Sequence, residues 1–258
     1  MTRRLLTGLI DALWTSACPV CRRPLKTGET VCGTCAGSIS PLSGVRCCRC
    51  TALLARTDGS IEYRGGTCPE CTALPRGIAA RIIAADYASV RGLVVAFKFE
   101  RNRAVGHILA NHLARTLRSH PLAREADVVV PVPLHSRQAR DRGFNQSDML
   151  ARAAAEAIGV PCVLDALIRS RKTEQQAKLR LRSDRAANVA EAFAPHRADA
   201  FRGKRVLLVD DVITTGATVG ACAQALHAGG AAEVYAAALA HPFLTAVGDQ
   251  VDIEAFPA

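Results

Sequence analysis

Apolar and polar positions divide the chain into two unlike parts. From about residue 80, short apolar runs of strand length alternate with longer segments of helical period. Residues 81–87 are expected as a strand. Residues 106–118 are expected as a helix with Ile108, Leu109, Leu113 and Leu117 along its apolar side. The same alternation predicts a strand at 127–132, an Ala-rich helix at 145–158, a strand at 204–211, a helix at 217–228 and a strand at 233–239. Strands that are apolar throughout belong to a sheet covered on both faces, so the expected fold class is α/β with a mostly parallel sheet and helices on both faces. In such sheets ligands bind beyond the carboxyl ends of the strands.

The first 76 residues follow another pattern. Residues 3–14 place Leu5, Leu6, Leu9, Leu13 and Trp14 on one side of an amphipathic helix. The apolar stretch there is short and interrupted by Asp11, unlike the core of a secretion signal. No apolar run approaches the roughly 20 residues of a membrane span. Residues 18–71 hold few large apolar side chains, and nine of the 11 cysteines lie before residue 72. The expected organisation is therefore an N-terminal helix at 1–17, a cysteine-bearing module at 18–76 and the α/β unit at 77–258. A cytoplasmic, reducing compartment is expected, in which clustered cysteines bind metal instead of forming disulfides.

Those cysteines stand as four Cys-x-x-Cys pairs: Cys18/Cys21, Cys32/Cys35, Cys47/Cys50 and Cys68/Cys71. Two intervening residues let one tight turn aim both sulfurs at a single ion, and two pairs complete a tetrahedron. Pairing neighbours gives Cys18, Cys21, Cys32 and Cys35 for one zinc, and Cys47, Cys50, Cys68 and Cys71 for a second, an assignment that spacing alone leaves open. Cys48 is the odd residue and is expected to be a bystander. Four thiolates leave no open coordination position, so both ions are structural, and their binding supplies folding free energy that the weak core lacks. The formal charge is +10 before metal is considered, and two tetrathiolate zinc sites would bring it to +6. A basic balance suits an anionic partner, a phosphorylated ligand or a nucleic acid.

The most informative segment is Arg205-Val-Leu-Leu-Val-Asp-Asp-Val-Ile-Thr-Thr-Gly-Ala-Thr218. An apolar strand ends at two acids, Asp210 and Asp211. Hydroxyl residues around Gly216 then open a helix, whose first N–H groups converge on a common centre and favour an anion. A phosphate at 214–218 and a polyol beside the two carboxylates are what this arrangement offers.

This segment resembles the phosphoribosyl-diphosphate signature of type I phosphoribosyltransferases. The resemblance implies that Asp210 and Asp211 hold the ribose during catalysis and that Thr214, Thr215, Gly216, Ala217 and Thr218 hold the 5′-phosphate. Val130-Pro-Val-Pro-Leu-His135, Arg137, Arg140, Arg142-Gly-Phe-Asn-Gln146, Phe97-Lys98-Phe99 with Arg103, and the basic stretch 169–188 are similar to the ComF family, as is the double cysteine ribbon ahead of them. Lys98, His135, Arg137 and Arg142 are then candidates for the diphosphate, with Mg²⁺ offsetting its charge. Asn145 and Gln146 are candidate donors at the next helix start. The implied function is Mg²⁺-dependent binding of phosphoribosyl diphosphate, with transfer to an unidentified acceptor, in nucleotide salvage or DNA uptake during competence. Single-stranded DNA and competence helicase or recombination proteins are the implied partners. The alternative is a DNA-binding competence factor that keeps the phosphoribosyl site as a ligand sensor. Seven Lys or Arg between residues 169 and 185 could serve DNA or close over the diphosphate.

Overall fold

The computed structural model describes residues 17–40, 42–54, 68–99, 102–134, 144–169 and 192–242. The expected N-terminal helix at 3–14 lies outside them. Four strands, β1 (Ala80–Asp86), β2 (Val128–Pro131), β5 (Arg205–Val212) and β6 (Glu233–His241), form one wholly parallel sheet in the order β1-β6-β5-β2. A separate antiparallel ribbon joins β3 (Leu167–Arg169) to β4 (Phe193–Pro195).

Strand alternation sorts the core into two layers. Ile82, Val129, Leu207, Val209, Ala237 and Leu239 face three helices: α3 (Tyr87–Phe99), α4 (Arg103–Ser119) and α5 (Gln146–Ile158). Ile83, Val128, Val130, Leu208, Ala236 and Ala238 face helix α6 (Ala217–Ala228) and the β3–β4 ribbon. The core is built from small side chains. The central strand β6 carries four alanines that are all buried, and α5 buries Ala151, Ala154 and Ala155 against the sheet. Small residues on both surfaces let helix and sheet approach closely, which is how a chain with 4% aromatic residues reaches core density.

Helix α3 was not among the expected elements. It starts at Tyr87, directly after the last residue of β1, and buries Val90, Leu93, Val94, Ala96 and Phe97. Positions 90, 93, 94 and 97 carry the helical period, although valine and phenylalanine favour strands on propensity alone. Packing on the sheet decides in favour of the helix.

The cysteine module has two short helices, α1 (Gly33–Gly37) and α2 (Pro69–Thr72), each starting immediately after a cysteine. Cys18, Val31 and Cys35 join the core layer of α3 and α4, and Val20 sits against Gly92 of α3. Cys50, Ala52, Cys68 and Cys71 form a small cluster of their own with Leu54 and Leu74.

Both outer edges of the sheet are closed by segments that are not strands. At β2, the Val129 N–H donates to Pro161 O at 2.9 Å and the Val163 N–H donates to Val129 O at 2.9 Å. At β1, the Arg81 N–H donates to Arg49 O at 2.7 Å, the Thr51 hydroxyl donates to Arg81 O at 2.9 Å, and the Ile83 N–H donates to Thr51 Oγ1 at 3.2 Å. Thr51 holds a left-handed φ of 65°, unusual for a β-branched residue, so its edge contacts offset a local strain. Thr51→Val keeps the shape and removes both hydroxyl hydrogen bonds, leaving the buried Ile83 N–H unpaired. It is expected to lower stability by about 2 kcal/mol. Urea unfolding would show this as a lower midpoint with an unchanged slope.

Candidate functional site

The carboxyl ends of the four parallel strands bring Asp86, His241, Asp210, Asp211 and Pro131 to one edge of the sheet. Successive residues of β5 point to opposite faces, so its two acids enter different surroundings. Asp211 is only 8% exposed, on the face of α3, where Lys98 Nζ lies 2.9 Å from its Oδ1. Asp210 accepts from the Ser147 hydroxyl at 3.1 Å and from the backbone N–H of Asp211 at 2.9 Å, both on Oδ1. Burial first, and the neighbouring charge of Asp211 second, push the Asp210 carboxyl up to about 7, against the pull of Lys98 and the two donors. Asp211 thus pairs with Lys98, and Asp210 is poised near neutrality between protonated and ionised.

The loop after β5 is anchored at its root. Ile213 is buried, and its N–H donates to Ala240 O at 3.1 Å. Its carbonyl accepts from His241 Nδ1 at 2.6 Å, and burial holds His241 below its ordinary pKa, as a neutral ring. Beyond this root, Thr214, Thr215, Gly216, Ala217 and Thr218 arch over into α6, with Thr215, Ala217 and Thr218 exposed to solvent. Gly216 caps the helix with a left-handed φ of 79°. A Cβ there would lie 2.4 Å from Pro75 Cγ, so the bare Cα makes room for a proline of the cysteine module as well as for a close ligand.

The start of α5 completes the rim. The Asn145 side chain accepts from the Ser147 N–H at 3.2 Å and donates to Val132 O at 3.2 Å and Asp148 Oδ1 at 2.6 Å. Gln146 is 1% exposed. These two residues, expected as ligand donors, are instead engaged in the helix cap and buried beneath it. Ser147, which was not singled out in the sequence, is the residue of this turn that reaches Asp210. Its position two residues after a helix-capping Asn, downstream of the Pro-Val-Pro strand end, was the available signal. Lys98 stands at the site in contact with Asp211. His135, Arg137, Arg142 and the basic segment from residue 170 to 185 lie outside the described residues.

The cysteines form two groups, Cys18, Cys21, Cys32 and Cys35, and Cys47, Cys50, Cys68 and Cys71, with all sulfurs of a group within 4.8 Å of one another. Sulfur pairs stand 3.5 Å apart for Cys21–Cys32, 3.6 Å for Cys47–Cys71 and 3.4 Å for Cys50–Cys68. Thiolates at about 2.3 Å around a tetrahedral zinc stand about 3.8 Å apart, so both donor sets fit that ion. Cys48 is exposed and belongs to neither group.

Comparison with known proteins agrees with this anatomy. Residues 101–246 match the phosphoribosyl transferase domain, and residues 9–72 match the double zinc ribbon domain. The DNA utilization protein YhgH of Salmonella typhimurium is 32% identical over 225 residues, covering 84% of this chain and 93% of that protein. Competence protein F of Haemophilus influenzae is 33% identical over 148 residues, covering 55% of this chain and 63% of that protein. Among solved structures, a glutamine phosphoribosylpyrophosphate amidotransferase from B. subtilis shares 30% identity over 52% of this chain and 26% of its own, with a TM-score of 0.38. With a double zinc ribbon ahead of a type I phosphoribosyltransferase fold, and with these relatives, the chain belongs to the ComF family.

Proposed function

We propose that the chain binds phosphoribosyl diphosphate with Mg²⁺ at the β5–α6 junction, with Asp210 and Asp211 beside the ribose and residues 214–218 around the 5′-phosphate. The observation that carries this reading is the junction itself: two strand-end carboxylates followed at once by a solvent-open arch of backbone N–H groups at a helix start. Mg²⁺ would neutralise the diphosphate and stabilise it as a leaving group. Lys98, His135, Arg137 and Arg142 are the protein cations assigned to that end. Ionised Asp210 would accept from a ribose hydroxyl and stabilise the positive charge that develops at the anomeric carbon. An acceptor nucleophile displaces diphosphate in such a site, and no protein nucleophile is needed. Incubation with phosphoribosyl diphosphate, Mg²⁺ and a panel of bases, with diphosphate release as the readout, tests turnover. Binding without release against every base would favour the ligand-sensor role.

The state of Asp210 gives the binding reaction a pH dependence. Its carboxyl is raised to about 7 in the folded protein, while a ribose hydroxyl donates best to the ionised form. Binding then releases a proton below that pH, and affinity rises from pH 6 toward pH 8, by at most about tenfold per unit. Calorimetry across this range should show the rise in the unaltered protein and a weaker, flatter affinity in Asp210→Asn. The ligand's own phosphate titration is common to both and cancels in the comparison. An identical pH profile in both proteins would remove Asp210 from the ribose site.

A second ligand, DNA, is suggested by the name of the DNA utilization protein YhgH among the relatives; we take it to be single-stranded DNA, met in a reducing cytoplasm where the thiol clusters would keep their zinc. The DNA would bind along the basic residues 169–185. Replacing Arg171, Lys172, Arg180 and Arg182 together with Ala is expected to weaken binding about equally for all sequences. It should also flatten the log–log salt slope by about 0.7 for each phosphate that the variant no longer neutralises. If the same variant loses phosphoribosyl diphosphate affinity and keeps DNA affinity, the segment serves the diphosphate.

A further inference from the structure

The second thiol group is bound to the phosphate arch by a stretch of five residues. Leu74 follows Cys71 by three positions and packs into the small cluster of Cys50, Ala52, Cys68 and Cys71. Pro75, the next residue, lies against two glycines of the arch and its helix. A Cβ built at Gly216 would meet Pro75 Cγ at 2.4 Å, and one built at Gly220 would meet Pro75 Cβ at 3.0 Å. Two residues on, the Gly77 carbonyl faces His227 Nε2 of α6 at 2.9 Å. The Ile78 N–H closes the turn onto Pro75 O at 3.0 Å, and its side chain enters the core beneath α6. Pro75 is therefore held on both sides, by Leu74 in the thiol cluster and by Gly77 and Ile78 on the helix. Its ring occupies the space where the loop glycine lacks a side chain.

A second connection runs through β1. Arg81 takes part in the edge pairing with Arg49, and its guanidinium Nε lies 3.4 Å from Cys50 O. A tetrathiolate zinc carries two excess negative charges, and Arg81 is a cation that the fold places beside the second thiol group.

We propose that Pro75 is a positioning residue for the phosphate arch, through which zinc at Cys47, Cys50, Cys68 and Cys71 and a phosphoribosyl ligand at residues 214–218 strengthen each other's binding. The inference rests on the phosphoribosyl reading above. The fixed φ of proline and its rigid ring make it a stiff strut between the metal cluster and Gly216. With the metal in place the strut holds the left-handed cap of α6 in the conformation that aims its N–H groups outward. Coupling between two sites is reciprocal, so a ligand in the arch must retard loss of that zinc. The first thiol group packs on α3 instead and, among the described residues, has no such strut to the arch, so its zinc is expected to be unprotected.

The test uses the full chain loaded with two zinc ions. Calorimetry with phosphoribosyl diphosphate and Mg²⁺ comes first. Absence of binding there overturns the phosphoribosyl reading, and with it the premise of this inference. With binding established, zinc loss to a chromophoric chelator is followed with and without saturating ligand, and released cysteines are alkylated and located by peptide mass. The expected result is that ligand slows zinc loss and alkylation at Cys68 and Cys71 by about tenfold, within the usual range of coupling between sites, and leaves Cys18 and Cys21 unchanged. Pro75→Ala is expected to retain two zinc ions, to bind the ligand about tenfold more weakly and to lose the protection. Binding without selective protection of the second group overturns the proposal, and this arm needs no variant. Full protection in a folded Pro75→Ala protein also overturns it.

Discussion

Edge closure is the constraint on which the rest of this fold depends. A four-stranded parallel sheet has two outer strands whose backbone groups must find partners, and the described residues supply no further strand for either. At β1 the partner is the turn between Cys47 and Thr51, a segment with almost no apolar core of its own. That turn keeps its shape through the thiol group to which Cys47 and Cys50 belong. The zinc ribbon is in this sense the missing edge of the sheet. The Arg49 carbonyl and the Thr51 hydroxyl join this turn directly to Arg81 and Ile83 of β1.

The two thiol groups accordingly have different mechanical roles. The first lends Cys18, Val31 and Cys35 to the layer under α3 and braces that helix through Val20. Helix α3 carries Lys98 to Asp211. The second closes β1, and through Leu74 and Pro75 it reaches the loop that follows β5. One ribbon thus supports an acid of the site and the other supports the arch, from opposite layers of the same sheet.

What the sequence made legible was local. The strand, acids, hydroxyl loop and helix of residues 205–218 are contiguous, and their order alone specifies the geometry, so the strand and helix bounds agree with the structure to within a residue. The cysteine pairs themselves were legible for a similar reason, but which pairs share an ion was left open by spacing, and the fold decides it in favour of neighbours. Contacts between distant segments were not legible. Nothing in Pro75 announces that it lies against Gly216, since proline near a module boundary reads equally well as a linker residue. Gly216 had a sufficient explanation in its loop conformation. Thr51 also looked like an ordinary polar residue, and only the pairing of β1 shows that its hydroxyl replaces a backbone partner. Helix α3 sits between these cases. Its period was present at Val90, Leu93, Val94 and Phe97, but strand-favouring side chains and the motif at residues 97–99 masked it.

The electrostatics of the strand ends explain why the chain is so basic. Lys98 is engaged by Asp211, so the charge it can direct at a diphosphate is already offset in part. The arch provides N–H dipoles and hydroxyls but no formal charge, and Asp210 adds negative charge whenever it ionises. A polyanionic ligand would meet a strand edge at which Lys98 is outnumbered by Asp86, Asp210 and Asp211, and helix-start dipoles alone contribute only about 0.3–1 kcal/mol each at exposed positions. Under the proposed reading, the remaining attraction would come from Mg²⁺ and from cations elsewhere in the chain. The sequence supplies them on both sides of α5, with Arg137, Arg140 and Arg142 before it and seven Lys or Arg in residues 169–185 after it. The first group follows β2, which borders β5, and the second follows β3, which packs on α6. The formal charge of +10, or +6 with two tetrathiolate zinc sites, leaves a surplus of cations in the surrounding segments that suits a ligand with several negative charges.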